Sequence, residues 1–466
     1  MDQKTGYSLK ITTLKLRKLT DFQLEFNFHS AQDQYHLFYQ SFTSTQLGFL
    51  HQSIPWDDLV FSFGLKEYKK GPDCMFSPKG KLALMFLKSY TRFSDEELIE
   101  NLNGNYDYQF FCGVIIDPLN RITNFKIVSQ IRCELSLLLK VEDCQEVLAK
   151  HWMPYLKNKD SMTCDATCYE SFIRYPTDVK LLWESVEWSY ALLKDLSKQS
   201  HQSLIRTKYV KWSRRNTSYS KLRRKPKQKR RSMTRGLLRL LTKITDQIDL
   251  LIKTGRDLSI SILSRQRLST IQILLGQQSK WFYDEEKPKD RIVSIDKPYI
   301  RPIVRGKEIK KVEFGAKVHN FQIDGISFID RISFDNFNEG KRLIPTIFKA
   351  QKLTKTKMKL VGADGIYATN ANRTFVSKNN IRTDFKPKGR PAKDEKQRKQ
   401  LRQMITKERA SRMEGSFGTE KQYYGLDKIK ARTEKTEILC LFFGIHTANA
   451  VRIGKRIAKK KMQQAA

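Results

Sequence analysis

The stretch TCDATCYESFIRYPTD, residues 163–178, decides the fold of this chain. Read as a strand over 161–169, it puts Cys164 and Cys168 on one face and Asp165 on the other, because side chains alternate along a strand. A carboxylate is unusual among such small and apolar neighbours, so its presence needs a reason. Asp165 is held on a rigid element, which is where a functional carboxylate would be placed.

The composition indicates a folded protein with a polyanionic partner. The chain has 466 residues, of which 39% are hydrophobic and 11% aromatic, enough for the cores of two or three domains and unlike a disordered tail. Lysine and arginine number 87 against 49 acidic residues, so the net charge is 87 − 49 = +38. Such an excess favours nucleic acid as the partner.

Membrane and secretion signals are weak. The longest apolar run, 438–445, is far shorter than the roughly 18 residues of a spanning helix, and residues 1–10 lack the apolar core of a signal peptide. The seven cysteines are an odd number with no C-x-x-C pair, which suits reduced, buried thiols and disfavours a zinc site. We therefore expect a soluble cytoplasmic protein.

Apolar periodicity predicts a mixed α/β sheet interrupted by a long helical insertion and preceded by a mainly helical N-terminal domain. A capping box at residues 94–97 marks one helix of that first domain. Strands are predicted at 161–169, 291–295, 312–323, 325–332, 360–364 and 381–385, and helices at about 338–352, about 370–378 and from about 394. The predicted parts are 1–155 (N-terminal domain, for DNA-end binding or dimerisation), 156–178 (first core strand), 179–288 (basic helical insertion), 289–455 (remaining core) and 456–466 (basic tail).

The insertion contains the strongest basic run. Residues 206–235 include fourteen lysines or arginines and no acidic residue, with three aromatic residues interleaved. This pattern favours contact with the DNA backbone, and the alternative is a solvated or disordered linker. The candidate DNA-binding residues of this run are Arg223, Arg224, Arg230 and Arg231.

Two further basic motifs lie in the second half of the chain. RPIVRGK, residues 301–307, offers Arg301, Arg305 and Lys307 to the DNA backbone, and a solvated hairpin explains it equally well. KPKGRPAK, residues 386–393, places Arg390 in a loop whose composition suits an AT-rich minor groove. A plain linker is the simpler interpretation of that loop.

Asp364 closes the short apolar strand KLVGAD. Functional groups of open α/β sheets gather beyond the carboxyl ends of parallel strands, so this aspartate is a candidate site residue. Its alternative role is to form a turn or to cap a helix.

Glu414 lies in RMEGSFGTEKQYYGL, where a helix would align it with Phe417 and Lys421. Gly415 and Gly418 each cost about 1 kcal/mol in a helix interior. They indicate that a sheet or a DNA backbone passes close to this surface. An exposed, charged helix is the alternative.

Three carboxylates on two strands and a helix would suit a pair of magnesium ions acting on phosphodiester bonds, because hard cations prefer oxygen ligands. Asp296 competes with Asp165 for the first position, since it follows a predicted strand 68 residues before Asp364. Asp324 and Asp330 are interpreted as turn residues near strand ends.

Several motifs together resemble the DDE transposases of bacterial insertion sequences. They are CDATCYESFIRYPTDVKLLWE (164–184), RIVSIDKPYIRPIVRGKEIKKVEFGAKV (291–318), VGADGIYATNANRTF (361–375) and MEGSFGTEKQYYGL (413–426). FSPKGKLALMFLKSYTRFSDEELIENLNGNYDYQFFCGV (76–114) is similar to the N-terminal helical domain of that family. The resemblance covers about residues 37–455 in the same order.

The resemblance implies a ribonuclease H-like catalytic core in which Asp165, Asp364 and Glu414 are the catalytic and metal-binding carboxylates. The first strand would lie beside the parallel strand that ends in Asp364, with Cys164 and Cys168 packed on the opposite face from the site. Lys421 would contact DNA phosphate. The family arginine four residues before the glutamate is replaced here by Ala410, which leaves that DNA contact without its usual residue, although arginines 409 and 412 stand alongside.

The implied cofactor is Mg²⁺, two ions per site, which Mn²⁺ can replace, and the implied partner is double-stranded DNA, bound by a homodimer or higher oligomer. Three hypotheses follow. The first is a transposase that binds terminal inverted repeats, cleaves DNA and joins the freed 3′-hydroxyl ends to a target. The second is a nuclease that cleaves without joining, and the third is a non-catalytic DNA-binding remnant acting as a repressor.

Overall fold

The computed structural model describes residues 31–67, 75–255, 258–304, 312–389 and 395–465. The helices are α1 (Ala31–Ser44), α2 (Gln46–Gln52), α3 (Trp56–Phe63), α4 (Pro78–Thr91), α5 (Asp95–Gly104), α6 (Tyr106–Cys112), α7 (Lys126–Leu138), α8 (Val141–Trp152), α9 (Asp178–Gln199), α10 (Tyr209–Lys221), α11 (Lys227–Thr254), α12 (Ile262–Tyr283), α13 (Leu343–Thr354), α14 (Asn370–Lys378), α15 (Glu395–Arg409), α16 (Gly415–Tyr423) and α17 (Glu434–Ala465). The strands are β1 (Ser161–Ser171), β2 (Pro302–Val304), β3 (Val312–Ile323), β4 (Ile326–Ser333), β5 (Leu360–Ala363), β6 (Arg382–Thr383) and β7 (Lys428–Ile429).

The strands form one mixed sheet with β1 at its centre. On one side β1 pairs with β3, which runs antiparallel to it, and β4 and β2 both pair antiparallel with β3. On the other side β1 pairs in parallel with β5, which in turn pairs in parallel with β6, and β7 extends the same side further along β1. A mixed α/β fold is therefore confirmed.

The strand register brings distant residues together. Cys164 of β1 lies opposite Ala363 of β5, so Asp165 and Asp364 are the next residues on two neighbouring parallel strands. In the sequence, helices α9 to α12 lie between β1 and the other strands of the sheet.

A bulge interrupts the pairing of β3 with β4. His319 pairs with Arg331 and Asn320 with Ile329, which leaves Asp330 as an extra residue. Such a bulge changes the direction of the side chain at the extra position. The prediction that Asp330 is a turn residue is wrong: the side chain is fully buried, whereas Asp324 does lie in the turn before β4 with a positive φ of 49°.

One hydrophobic core joins the N-terminal helices to the sheet. It runs from Phe42 of α1 through α4 and α8 to β1, β3 and β5, and it includes the middle of α17. Phe86 meets Phe443 edge to face with ring centroids 4.9 Å apart, and the Trp152 indole donates a hydrogen bond of 2.7 Å to the Ser53 carbonyl. The N-terminal helices therefore support the sheet directly.

The insertion has a second core of its own, formed mainly by α9, α11 and α12. The aromatic residues of the basic run belong to it: Tyr209 stacks on Tyr190 with ring centroids 3.9 Å apart, and Tyr219 is buried. The linker interpretation of this run is wrong, because it folds into α10 and the start of α11. Its aromatic residues pack inward and so give no support for a DNA contact.

The other strong periodic signals are confirmed within a few residues, including β3 and α14 with their predicted bounds. The capping box is present, with Ser94 and Glu97 bonded reciprocally. The strand predicted at 291–295 is wrong. Its apolar residues are buried between the insertion core and the sheet, and the Ile292 N–H donates to the Gln277 side chain at 3.0 Å instead of to a strand.

None of the helices that the model describes is both long enough and apolar enough to cross a membrane. The six described cysteines are all free thiols, and Cys164 and Cys168 are buried in the sheet.

Gly315 should be essential for the central strand pair. It lies opposite Glu170, and a Cβ at this position would stand 2.1 Å from the Tyr169 carbonyl oxygen and 2.7 Å from the Ser171 nitrogen. The paired backbones would have to move apart to relieve this clash. Gly315→Ala should therefore lower the free energy of unfolding by about 1–3 kcal/mol. Urea unfolding followed by circular dichroism measures this change.

The matched control is Gly276→Ala in α12, where a Cβ would meet nothing within 4 Å. This change should be neutral or should stabilise the protein by up to about 1 kcal/mol, since alanine has the higher helix propensity. Equal effects of the two substitutions would contradict the close approach of β1 to β3.

Candidate active site

Asp165 lies on the face of β1 opposite to the buried cysteines. Its side chain is 22% exposed and accepts a hydrogen bond of 2.8 Å from the Ala166 N–H. Burial is the largest cause that raises the pKa of this carboxyl, and the charges of Glu339 and Asp364 add to it, whereas Arg409 acts in the opposite direction. When burial and neighbouring negative charges raise the pKa of a carboxyl, a nearby cation stabilises its ionised form.

Asp364 follows β5 directly and is 63% exposed. Its side chain accepts a hydrogen bond of 2.6 Å from the Gly365 N–H, at the start of the 3₁₀ turn Gly365–Tyr367. The capping role considered for this aspartate is therefore real, and it keeps the carboxylate at the end of the strand.

A further carboxylate, Asp384, comes directly after β6 and was not identified from the sequence. Its side chain is only 4% exposed and accepts a hydrogen bond of 3.0 Å from the Ala363 N–H, and burial raises its pKa. Because β5 and β6 are parallel, their carboxyl ends meet at the same edge of the sheet. The strand predicted at 381–385 runs past Asp384, whereas β6 ends at Thr383, so the rule was not applied to this aspartate.

One guanidinium joins these three aspartates. Arg409, the last residue of α15, has Nη1 3.5 Å from Asp165 Oδ2, Nη2 3.9 Å from Asp364 Oδ1 and Nε 3.7 Å from Asp384 Oδ2. Asp165 and Asp364, predicted to share a site, are therefore brought to one cation.

A π-helical turn explains how Arg409 reaches this place. Residues 410–414 form a π-helical turn between α15 and α16. Such a turn bonds residue i to i+5 instead of i+4. An arginine five residues before Glu414 therefore takes the helix face that Ala410 would occupy in a regular helix.

Glu414 is exposed at the end of that π-helical turn. No group of three histidine, cysteine, aspartate or glutamate side chains has metal-holding geometry within the described residues. A Cβ at Gly415 or Gly418 would meet nothing within 4 Å, so the expectation that a sheet passes close to these glycines is wrong. This helix surface is open.

Lys421 lies over the same face of β1. Its ammonium donates a hydrogen bond of 3.0 Å to Thr167 Oγ1 and stands 5.4 Å from the centre of the Tyr169 ring. Next to it, Glu420 is completely buried and accepts hydrogen bonds from the Tyr169 and Ser327 hydroxyls. This polar cluster fixes α16 against the sheet.

Beneath the site a buried network supports the Asp364 turn. Asp330 bonds His319 Nδ1 at 3.0 Å, and His319 Nε2 bonds the Tyr367 hydroxyl at 2.8 Å. Asp330 also accepts both hydrogen bonds of the Arg342 guanidinium at 2.9 Å, and these partners hold its pKa well below the usual range despite burial. Tyr367 ends the 3₁₀ turn that starts after Asp364, so the network anchors that aspartate.

The predicted DNA-binding residues have different surroundings. Arg223, Arg224 and Arg231 are exposed on the insertion. Arg230 forms an ion pair with Asp178. Arg301 is held 3.1 Å from the Ile300 carbonyl, next to the edge strand β2.

Three candidates, Arg305, Lys307 and Arg390, lie outside the described residues. The alternative first aspartate, Asp296, is in a turn outside the sheet and pairs with Arg267 of the insertion.

The donor set suits a hard divalent cation. Carboxylate oxygens are the ligands such ions prefer, and Asp165 and Asp364 already converge on the positive charge of Arg409. Glu414 stands on the helical turn that begins directly after this arginine. The chemistry of these side chains therefore suits a hard cation, whereas their arrangement within the described residues is not that of a formed metal site.

Residues 361–445 match the family model described as a transposase DDE domain. The matched segment contains Asp364, Asp384, Arg409 and Glu414, whereas Asp165 precedes it and joins it through the pairing of β1 with β5. The comparisons with curated proteins and with solved structures gave no match.

Glu420 should make stability depend on pH. Burial raises the pKa of its carboxyl to about 7, above the value of about 4.3 in an unfolded chain. The folded state therefore binds this proton more tightly than the unfolded chain. The resulting contribution to the free energy of unfolding is fully present below about pH 4.3 and is lost as the pH rises to about 7. Between pH 5 and 8 the wild type should lose about 2–3 kcal/mol relative to Glu420→Gln, which cannot ionise.

Urea unfolding of both proteins at several pH values in this window measures the difference. Glutamine has nearly the same shape and keeps an oxygen acceptor for one of the Tyr169 and Ser327 hydroxyls, while its NH2 group can donate to the oxygen of the other hydroxyl. Parallel pH profiles for wild type and variant would contradict the buried position of this carboxyl.

Proposed function

Because the chain carries a transposase DDE domain at residues 361–445, we propose that it is a metal-dependent DNA transposase with Asp165, Asp364 and Glu414 as its catalytic carboxylates. It binds the terminal inverted repeats of its element, cleaves phosphodiester bonds and transfers the 3′-hydroxyl ends to target DNA. The observation that carries this proposal is the convergence of Asp165 and Asp364 on one guanidinium, within 3.5 and 3.9 Å.

A ribonuclease H-like core is part of the proposal. Support comes from the strand order β4-β3-β1-β5-β6, in which β1 has an antiparallel partner on one side and a parallel partner on the other. The family resemblance implies the same neighbourhood of the first strand and the strand ending in the second aspartate. The proposed division treats the N-terminal helices, the insertion and the sheet as separate parts of one chain.

Asp165 and Asp364 would hold divalent cations from the strand ends, and Glu414 would complete the site from the helix. The chemistry that divalent cations supply in such sites is activation of the attacking oxygen and stabilisation of the leaving oxygen. Mg²⁺ is the proposed ion, with two per site, and Mn²⁺ is a substitute. The fixed turn after Asp364 keeps its carboxylate aligned with Asp165.

No protein side chain needs to act as the nucleophile. In the first reaction water attacks a phosphodiester, the P–O3′ bond breaks and a 3′-hydroxyl is released. In the second reaction this hydroxyl attacks a target phosphodiester, and the target's own 3′ oxygen leaves. Each step exchanges one P–O bond for another, so no oxidant or energy source is required.

The DNA path follows the positive surface around the site. Lys421 lies over β1 two residues along the strand from Asp165, by its hydrogen bond to Thr167, and suits a phosphate next to the cleaved bond. The open surface of α16 at Gly415 and Gly418 leaves room for a DNA backbone. Arg223 and Arg224 are exposed on the insertion and are proposed as further contacts with DNA phosphates.

Double-stranded DNA, as element ends and as target, is the proposed partner, bound by a dimer or higher oligomer that pairs two ends. The proposed place of action is the bacterial nucleoid. The net charge of +38 supports the choice of DNA.

The first test is cleavage of DNA that carries the gene with its flanks, in Mg²⁺ or in EDTA. Wild type should cut at inverted-repeat ends only with the metal. Asp165→Asn, Asp364→Asn and Glu414→Gln should each lower the cleavage rate about a hundredfold or more, because several kcal/mol of transition-state stabilisation are lost. Binding to the ends, measured by gel shift, should change little.

Asp296→Asn is the matched control, since this exposed aspartate pairs with Arg267 outside the sheet, and its cleavage should equal that of wild type. Loss of cleavage in this variant, with normal cleavage by Asp165→Asn, would overturn the assignment of the first aspartate. Cuts without joined products would favour a nuclease, and tight binding without cuts would favour the repressor.

The insertion should contribute to DNA affinity through charge alone. Arg224→Gln should lower the slope of log K against log salt concentration by about 0.9, the value for one phosphate contact. The control is Lys253→Gln, at the opposite end of the insertion helix α11, which should leave the slope unchanged. Fluorescence anisotropy over a salt series measures both, and equal slopes for all three proteins would exclude the Arg224 contact.

A further inference from the structure

The geometry points to Arg409 as a built-in counterion that holds Asp165 and Asp364 together when no metal is bound, so that a divalent cation must displace its guanidinium. This inference rests on the proposed function, because it concerns the same carboxylates. It adds a residue that tunes the affinity of the site for its cation.

The close approach of α15 to β5 places Arg409 at the site. Gly362 of β5 lies under α15, and a Cβ there would be 2.9 Å from Ile405 Cγ2 and 3.7 Å from Arg409 Cβ. Only a residue without a side chain allows the helix to come so close to the strand. The guanidinium is then only 14% exposed and faces the ends of the parallel strands.

Asp384 gives the guanidinium a third, fixed partner. Its carboxylate is almost completely buried and is tied to the Ala363 N–H, directly before Asp364. Because Asp384 is held by the strand itself, it keeps Arg409 close to the other two aspartates. We regard Asp384 and Arg409 as positioning residues, since they act through Asp165 and Asp364.

The hold on Arg409 is electrostatic and loose. Its three distances to carboxylate oxygens are 3.5, 3.7 and 3.9 Å, at or beyond the length of a good hydrogen bond. Its Nε is buried and makes no hydrogen bond with any described residue. A guanidinium held in this way can leave when a stronger cation arrives, and until then its charge opposes the binding of that cation.

The test is titration of the full chain with Mn²⁺ in the absence of DNA, followed by the electron paramagnetic resonance signal of the free ion. The proteins are wild type, Arg409→Gln, Arg409→Lys and Arg412→Gln, together with Asp165→Asn and the double variant Asp165→Asn/Arg409→Gln. Arg412 is the matched control for net charge, because it is three residues away and pairs with Glu408 at 3.0 Å and Asp324 at 3.6 Å instead.

Arg409→Gln should bind Mn²⁺ about tenfold more tightly than wild type, because the competing charge is gone. Arg409→Lys, which keeps the charge, and Arg412→Gln should stay within about twofold of wild type. The double variant Asp165→Asn/Arg409→Gln should not show this tenfold increase in Mn²⁺ affinity. Circular dichroism and the unfolding midpoint check that Arg409→Gln is folded.

Unchanged or weaker Mn²⁺ binding by folded Arg409→Gln, with binding that still depends on Asp165, would overturn the counterion role and leave the proposed function intact. Absence of Asp165-dependent binding in both wild type and Arg409→Gln would overturn the counterion role and the proposed metal site together.

Discussion

Parallel pairing of β1 with β5 is the interaction on which the candidate site depends. It aligns Cys164 with Ala363, so that two aspartates 199 residues apart in the sequence become neighbours at one edge of the sheet. The long insertion leaves this pairing intact because it has its own hydrophobic core. Burial of the N-terminal helices and of α17 against the sheet stabilises the same strands from the opposite face. The site is thus built by backbone hydrogen bonds, and a further core that includes Tyr169, Met413 and Phe417 packs on the same face of β1 as Asp165.

Charge is distributed unevenly between the surface and the site. A chain with a net charge of +38 gathers three aspartates, one within β1 and two directly after β5 and β6, around one arginine. The positive surface suits a polyanion, whereas the carboxylates suit hard cations. A phosphodiester backbone brought onto this surface would meet the carboxylates only through such cations. In the proposed site, Asp165 lies outside the range that matches the transposase domain and joins it through the pairing of β1 with β5.

The sequence was sufficient for much of the fold and for the expectation that Asp165 and Asp364 lie on neighbouring parallel strands. Burial alternates along the first half of β1, which agrees with its predicted two-residue period, whereas the second half of β3 is buried on both faces. The carboxyl-end rule pointed to Asp364, which follows β5. Prediction from the sequence failed where tertiary contacts override the local pattern of apolar residues. Buried Asp330 owes its position to a bulge, and Arg409 reaches the site through a π-helical turn, neither of which leaves a periodic signal. Whether Glu414 joins the aspartates depends on the ions and DNA that the site is proposed to bind.

The central claim is that Asp165, Asp364 and Glu414 bind the same metal ions. Anomalous diffraction from crystals of the protein with Mn²⁺ and a DNA end tests it most directly. The account predicts manganese peaks bound by Asp165 and Asp364, with Glu414 as a ligand and the Arg409 guanidinium moved away. Manganese bound elsewhere on the chain, with Arg409 still between the aspartates, would contradict it.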